Sequence, residues 1–280
     1  MSKKFELLGM LKRVGIGSAP EGAFRTAAAR MASAAHAVLD RGVEVRDLPT
    51  KAVAAAEEKA KAKTTAESTA LVDPAAREES LKLVQRLFLT PAQAPSKAVM
   101  FAPIDAGSAC SRLCADTAEL LAETASCSVC LVEGNFRRSS LPEVLGEENH
   151  YGLADSLRQE GSIRRFAKQV RKGLWLLSSG SQSNESLNLL NCDRMKERIA
   201  ELRKEFDYVL VEVAPLNVYA DAMVLGRLLD GVVLVLEANT TRREAALRVA
   251  ESLRATAIPV LGAVLNNRTF PIPRALYKRL

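Results

Sequence analysis

Short apolar runs, separated by segments with helical periodicity, dominate the sequence after residue 96. The runs cover 98–102, 128–132, 174–177, 208–213, 231–236 and 260–265. They are apolar almost throughout, without regular polar alternation, which is typical of strands buried on both faces of a parallel sheet. Amphipathic segments at 194–206, 220–229 and 242–255 predict the helices that cover such a sheet. We therefore expect a doubly wound, mostly parallel α/β domain between Leu81 and Asn267, with helices on both faces.

The first 72 residues differ in composition and predict a helical or flexible N-terminal extension. Residues 21–40 favour an Ala-rich helix with Phe24, Met31 and Val38 on one stripe, which suits either a flexible tether or a partner-docking helix. Residues 52–66 are rich in Ala, Lys and Glu and favour a solvated helix or a disordered linker. Pro74 then opens a further helix, because proline is preferred at the first helical position. The predicted division is an extension, residues 1–72, and a domain, residues 73–280.

Composition and charge narrow the functional classes. The formal charge of +6 is a mild excess, which favours a solvated basic surface over a surface that binds nucleic acid or acidic lipid. No apolar run approaches the ~20 residues that span a bilayer, and the apolar stretch after Lys3 and Lys4 is too short for a signal peptide. A soluble cytoplasmic protein is expected.

The cysteines are predicted to be core residues and not ligands of a metal or members of a redox centre. The chain has five cysteines, and Cys127 and Cys130 have the C-x-x-C spacing of zinc and redox sites. Cys130 falls in a predicted strand, however, where neighbouring side chains point in different directions. Small buried apolar residues in a reducing compartment are the favoured interpretation.

The loop after the first predicted strand resembles part of a phosphate-binding loop. In an open parallel sheet, ligands bind at the carboxyl ends of the strands. The segment 103–112 joins a strand to a helix, the geometry that holds phosphate in the pattern G-x-x-x-x-G-K-[ST]. Ser111 fits the last position of this pattern and Gly107 remains within the loop, but Ala109 and Cys110 stand at the positions of the second glycine and the lysine. Taken alone, the motif favours an ordinary strand-to-helix turn.

Carboxylates at two other strand ends strengthen the case for an altered site. Glu133 ends the second predicted strand, with Asn135 shortly after it, and Glu212 lies near the end of the fourth. A carboxylate at a strand tip beside a phosphate loop is where magnesium is held. A single glutamate there is usually a solvated group, but two in this chain order favour a changed metal site.

Together these residues resemble a known family, the bacterial tyrosine kinases of capsule and exopolysaccharide assembly, within the MinD/ParA group of deviant P-loop ATPases. The resemblance covers residues 78–267. It is carried by the strand–acid–x–x–x–Arg–Arg segment through Arg138, the strand–acid–x–x–Pro segment through Pro215, and further similar segments at 141–146, 152–157, 177–180, 184–190, 219–221, 230–235 and 262–266. It implies a P-loop NTPase-like fold, ATP with Mg²⁺ as cofactors, and an inner-membrane chain-length or export protein as partner.

The departures from the family pattern fall on the phosphate-handling positions. In the nucleotide loop, Gly107 and Ser111 agree with the family pattern. The other positions differ: Ala106 replaces Pro, Ser108 replaces Glu, Ala109 replaces Gly, Cys110 replaces Lys and Arg112 replaces Thr. A thiol is neutral or anionic and cannot supply the positive charge of the lysine. Glu133 and Asn135 replace the two aspartates of the second motif, which are catalytic positions, and Glu212 replaces the aspartate of the third. The resemblance implies Ser111 and Glu212 as ligands of Mg²⁺. Because Mg²⁺ demands near-ideal octahedral geometry, the extra methylene of Glu212 would move one of these ligands out of position.

Other family features are partly present. In the family, a helix with the pattern Glu-x-x-Arg-x-x-Arg is associated with oligomerisation. Here Glu79, Lys82 and Gln85 occupy these positions, so only part of the charge pattern is present. The resemblance therefore implies a homo-oligomer, with a weakened version of this contact. The C-terminal tyrosine cluster is reduced to Tyr277, a weak candidate phosphoacceptor. Asn266 fits the adenine-side position of the family.

Three functions follow from this combination. The favoured one is a degenerate kinase-like regulatory or scaffold subunit of polysaccharide assembly, with weak or no ATP turnover. The second is an active kinase or ATPase that uses Arg112, Glu133 and Glu212. The third is a ParA/MinD-like positioning ATPase on a membrane or DNA. The similar segments at 141–157 and 184–190 favour the polysaccharide branch, and no nucleic-acid partner is expected.

Overall fold

A computed structural model describes residues 74–90, 96–107, 109–149, 151–181, 189–190 and 192–268. The expectations for the extension 1–72, for Ser108 and for Tyr277 lie outside these residues. The division at residue 72 stays a prediction.

Seven strands form one sheet. Their bounds are β1 Ala98–Pro103, β2 Val129–Glu133, β3 Lys168–Arg171, β4 Leu174–Leu177, β5 Tyr208–Glu212, β6 Gly231–Glu237 and β7 Val260–Asn266. The sheet order is β3-β4-β2-β5-β1-β6-β7. All neighbouring pairs are parallel except β3 with β4. The predicted fold class is confirmed.

The helices follow the predicted amphipathic segments with small shifts at their ends. They are α1 Pro74–Val84, α2 Cys110–Ala125, α3 Leu141–Leu145, α4 Leu153–Arg158, α5 Asp193–Glu205, α6 Asp221–Gly226 and α7 Arg243–Ala255. A π-helical turn, Gln85–Leu89, extends α1, and a 3₁₀ turn covers Ile163–Arg165. The segment 220–229 forms a shorter helix than predicted. None of these described helices has the length and apolarity needed to cross a membrane.

The sheet separates two apolar layers, as expected for strands buried on both faces. Side chains alternate along β1, so that Met100 faces one layer and Phe101 the other, and both are fully buried. Helices α4 to α7 contribute to the first layer and helices α1 to α3 to the second. Cys130 is a buried free thiol, as predicted for a core position, whereas Cys127 is only partly buried. Cys110 and Cys114 are buried free thiols as well.

One strand was missed from the sequence, the edge strand β3. Its residues are mostly exposed and polar, Lys-Gln-Val-Arg, so it lacks the apolar run by which the other strands are recognised. It pairs antiparallel with β4 through a tight turn at Lys172 and Gly173, and Gly173 has a φ of 77°. Tertiary pairing, rather than local propensity, makes this segment a strand.

Candidate functional site

The candidate site lies where β1, β2 and β5 end side by side. The loop after β1 leads into α2, and its described residues Gly107 and Ala109 both have positive φ, 85° and 49°. Ala109 is the N-cap of α2, and no side chain of the described residues caps the helix there. Glu133 and Glu212 are direct neighbours in the parallel register of β2 and β5. The fold therefore brings together the residues that the sequence singled out on these three strands.

Cys110, at the lysine position of the loop, is turned into the core. It is only 4% exposed and contributes to the apolar layer beneath α2. Burial, followed by the negative charge of Glu212 and by Cys114, raises the pKa of its thiol well above the usual 9.0. At neutral pH the thiol is therefore uncharged, and it offers neither a cation nor a nucleophilic thiolate.

Arg112 does not replace the missing lysine. Its Nε atom lies 2.9 Å from Oδ1 of Asp116, one helical turn further on, and its side chain is 53% exposed. This is an ordinary surface pair at i, i+4 spacing. Arg112 is the only cation among the described residues 104–113, so this part of the loop supplies no uncommitted positive charge.

Ser111 connects α2 to β5 and α3. Its hydroxyl donates to Oε1 of Glu212 at 2.6 Å and lies 2.8 Å from the hydroxyl of Ser140. Glu212 is 3% exposed, and its Oε2 atom has no hydrogen-bond partner among the described residues. The carboxyl group of Glu212 therefore lies directly against Ser111.

The protonation of Glu212 is shifted by its surroundings. Burial is the main cause and raises its pKa from the usual 4.5 to about 8. The hydrogen bond from Ser111 opposes this shift, the charge of Glu133 adds to it, and Arg138 opposes it. Glu212 is therefore largely protonated at pH 7, unlike a carboxylate that serves as an anionic metal ligand.

Glu133 is a structural acceptor, not a group held ready for chemistry. Its Oε1 accepts hydrogen bonds from the backbone N–H groups of Ser140 and Leu141, and its Oε2 accepts from the Ser139 hydroxyl and from Ser179 N–H. The side chain is fully buried. It satisfies the first amides of α3 and ties β2 to the loop after β4. A carboxylate with four donors has little remaining capacity to accept a substrate proton.

The two asparagines occupy different parts of this edge. The Oδ1 atom of Asn135 accepts from the backbone N–H groups of Arg137 and Arg138, at 3.2 and 3.3 Å, which is a local turn interaction. Asn266 ends β7 and pairs in register with Glu237 at the far side of β6. Its assignment to the adenine side stays a prediction.

Sequence reasoning missed Ser139, Ser140 and Ser179 as members of this cluster. Ser140 and Glu143 form an S-x-x-E pattern, which usually predicts a self-capped helix. In the structure, Ser140 is the N-cap of α3 but its side chain does not cap the helix. Glu133 accepts from the Ser140 and Leu141 amides instead, because β2 ends directly beside them.

These residues do not fit a magnesium–triphosphate complex of the kind that the resemblance implies. The lysine position holds a buried neutral thiol, the nearby arginine is paired outwards, and Ser111 donates to a buried carboxyl group that is mainly protonated. Within the described part of the chain, no group of three or more His, Cys, Asp or Glu side chains has a metal-binding arrangement. The loop amides and Gly107 remain as general anion-binding features.

The sequence has relatives among bacterial tyrosine-protein kinases, although no family model matches it. It is 29% identical over 173 residues to the tyrosine-protein kinase YwqD of Bacillus subtilis, covering 61% of this chain and 73% of that protein. It is 26% identical over 139 residues to the tyrosine-protein kinase CpsD of Streptococcus pneumoniae, covering 49% of this chain and 61% of CpsD. The succinoglycan biosynthesis transport protein ExoP of Rhizobium meliloti is 29% identical over 159 residues, which are 55% of this chain but only 20% of ExoP.

Solved structures of the same fold include tyrosine kinase domains. The chimerical protein CapA2B2 superposes with a TM-score of 0.66 at 19% identity, over 71% of this chain and 87% of its own. The kinase domain of Escherichia coli tyrosine kinase ETK gives 0.65 at 20% identity, over 70% and 78%. MinD of Pyrococcus horikoshii with Mg-ADP gives 0.53 at 18% identity, over 65% and 76%. The expected resemblance is confirmed: the homologues of this chain are bacterial tyrosine-protein kinases.

Proposed function

We propose that this chain is a kinase-like regulatory or scaffold subunit of bacterial capsule or exopolysaccharide biosynthesis, with weak or no ATP turnover of its own. One observation carries the proposal: the side chain at the position of the phosphate-binding lysine is Cys110, a buried thiol whose pKa is raised. The rest of the fold, including the sheet and the strand-to-helix loop, is retained.

The energetic argument rests on charge. Phosphoryl transfer depends on positioning and on positive charge around the transferred group. Removing one such contact typically costs about 3–4 kcal/mol in the transition state. Here the lysine is replaced by Cys110, and Arg112, the cation in the first turn of α2, is paired with Asp116. A buried acid, Glu212, lies against Ser111 where an anionic ligand to a metal would be needed.

The names of the relatives support a membrane partner. ExoP is named as a transport protein of succinoglycan biosynthesis, and the other relatives are named tyrosine-protein kinases. We infer that this chain acts at the cytoplasmic side of the inner membrane by docking on a polysaccharide chain-length or export protein, either as a single copy or as a homo-oligomer. Such a role needs the shape of the kinase domain and not its turnover.

Two other functions of this fold are less well supported. An active kinase would need Arg112, Glu133 and Glu212 to be available, but the first is paired with Asp116, the second has four donors, and the third is mainly protonated at pH 7. A positioning ATPase is supported only by fold, since the MinD likeness has a TM-score of 0.53. Magnesium-dependent ATP hydrolysis by the pure chain, abolished by Glu212→Gln, would favour the active enzyme.

Calorimetric titration with ATP and magnesium tests the proposal directly. We expect the parent chain to show no binding tighter than about 1 mM, because the lysine position carries a neutral thiol and Arg112 is paired with Asp116. The variant Cys110→Lys restores an ammonium group at the loop, and we expect it to bind at least tenfold more tightly, a gain of about 1.4 kcal/mol. The matched control is Cys110→Ala, which removes the thiol without adding charge and should bind as weakly as the parent.

Each outcome has a distinct meaning. Micromolar, magnesium-dependent binding by the parent would contradict the proposal. Binding by Cys110→Lys alone would show that the loop retains a phosphate-compatible backbone and that charge is the missing element. Thermal melting of both variants confirms that the domain is folded before the titrations are compared.

A further inference from the structure

Tyr151 is presented on the surface in a fixed orientation. The residue is 45% exposed, while its ring stacks on the buried ring of Phe166, with centroids 5.5 Å apart and planes 5° from parallel. Its backbone carbonyl accepts a hydrogen bond from the Ser178 hydroxyl. Its phenol oxygen reaches the surface and donates to the side-chain oxygen of Gln159. The phenol hydroxyl is thus held outwards on a stacked ring.

Arginine side chains converge on the turn that receives this hydroxyl. The backbone carbonyl of Gln159 accepts from Arg194 at 2.5 Å and from Arg198 at 3.0 Å. A guanidinium nitrogen of Arg165 lies 3.8 Å from the position of a Cβ on Gly161. Arg198 is compensated by Glu201 at 2.6 Å, whereas Arg165 and Arg194 add positive charge at the rim of the turn. A phosphate group on the Tyr151 oxygen would lie beside guanidinium groups, which bind phosphate through paired charge-assisted hydrogen bonds.

The other described tyrosines are less suitable. Tyr208 is partly buried, and its ring packs edge-on against Phe88 at 5.3 Å. Tyr219 is partly buried beneath the guanidinium of Arg137, 4.2 Å from its ring centroid. Neither presents its ring as openly as Tyr151, and neither lies beside the arginine turn.

From this arrangement we propose that Tyr151 is a phosphorylation site, modified by a separate ATP-dependent tyrosine kinase, and that Arg194 and Arg165 receive the phosphate. The phenol oxygen attacks the γ-phosphorus of ATP, the bond from that phosphorus to the ADP oxygen breaks, and the phenolic proton is released to solvent or to the kinase. The products are phosphotyrosine and ADP. This inference does not depend on the nucleotide site of the chain, because the transferring enzyme is a second protein.

The modification would change local contacts in a defined way. The phosphorylated oxygen can no longer donate to Gln159, and the added phosphate competes with the Gln159 carbonyl for Arg194. Since Arg194 lies in the first turn of α5, the phosphate would tie the segment before α4 to the beginning of α5. The charge of this surface would change from basic towards neutral, which would alter binding to a charged partner.

Labelling of the full chain tests where the phosphate goes. The chain is incubated with magnesium, ATP and the tyrosine-protein kinase YwqD, and phosphate is located by mass spectrometry. We expect Tyr151 to be modified and its signal to disappear in Tyr151→Phe, with little change in the matched control Tyr219→Phe. The proposal is overturned if Tyr151→Phe takes up as much phosphate as the parent, or if Tyr151 stays unlabelled while a tyrosine-containing control peptide is phosphorylated.

Thermal melting tests the receiving arginines. We expect phosphorylated chain to melt roughly 3 °C above unmodified chain at low salt, because charge-assisted hydrogen bonds form. This difference should be lost in Arg194→Gln and reduced by added salt. A difference that persists unchanged in both Arg194→Gln and Arg165→Gln would contradict the assigned receiver. The result is independent of ATP binding by the chain itself, so it can fail or succeed separately from the proposed function.

Discussion

Replacing Glu133 by glutamine is expected to lower the free energy of unfolding by about 3 kcal/mol, because a buried carboxylate with four donors is removed. Each carboxylate oxygen accepts two hydrogen bonds, from Ser140 and Leu141 N–H on one side and from the Ser139 hydroxyl and Ser179 N–H on the other. The amide nitrogen of glutamine must therefore face donors whichever way the side chain turns. At least one buried N–H group would lose its acceptor.

Denaturant unfolding at pH 7 measures this effect. The control is Glu143→Gln, an exposed glutamate in the first turn of the same helix α3, where a change within about 0.5 kcal/mol is expected. A loss for Glu133→Gln no larger than that of the control would show that the hydrogen bonds at the end of β2 contribute little to stability. The expected loss would identify Glu133 as a structural acceptor at a position where the resemblance places a catalytic one.

Replacing Glu212 by glutamine is expected to have the opposite effect and to stabilise the domain. The gain in the free energy of unfolding over the parent should be larger at pH 8 than at pH 5.5, by roughly 3 kcal/mol. The pKa of Glu212 is raised in the folded chain to about 8 from the usual 4.5. Between these values the folded chain keeps a proton that the unfolded chain releases. The stability of the parent therefore falls as the pH rises through this window, by up to about 1.4 kcal/mol per pH unit, and levels off above pH 8.

Glutamine imitates the protonated carboxyl group and does not titrate. Its oxygen can still accept from Ser111, and its second polar atom occupies the place of Oε2, which has no partner among the described residues of the parent. We expect the stability advantage of Glu212→Gln over the parent to be small near pH 5.5 and to grow as the pH rises. Unfolding curves at several pH values between 5.5 and 8.5 provide the measurement. A gain that is the same at all pH values would contradict the titration of Glu212.

The comparison of the two variants is informative because the residues are matched. Both are glutamates, both are buried, and their Cα atoms are partners across β2 and β5. They differ in their hydrogen bonds, since Glu133 has four donors and Glu212 has one donor to one oxygen and none from the described residues to the other. Opposite signs of the two stability changes would follow from this difference alone.

Much of the architecture could be predicted from the sequence because it depends on burial patterns. Strands β1, β2, β4, β5, β6 and β7 coincide with apolar runs, and Pro74 begins α1 as expected. A run that is apolar on both sides has no stable place other than the centre of a layered domain. The positions of Gly107, Cys110 and Ser111 in a strand-to-helix loop followed from the same pattern.

The edge strand β3 and the roles of the two glutamates could not be read in this way. The residues of β3 are polar, and they form a strand because β4 supplies hydrogen-bond partners. Glu133 and Glu212 both appeared as carboxylates near strand ends, with nothing in the sequence to separate their roles. Their hydrogen bonds come from Ser111, Ser140 and Ser179, which lie on other elements.

The sequence by itself determined the layered α/β fold and the loss of the lysine at Cys110, because apolar periodicity and residue identity are local properties of the chain. Only the tertiary structure decided that Cys110 is buried, that Arg112 is paired with Asp116, and that one of two neighbouring glutamates is satisfied while the other holds a proton at neutral pH. Burial and hydrogen-bond partners depend on segments far apart in sequence. They, more than residue type, set the charge of a group inside a protein.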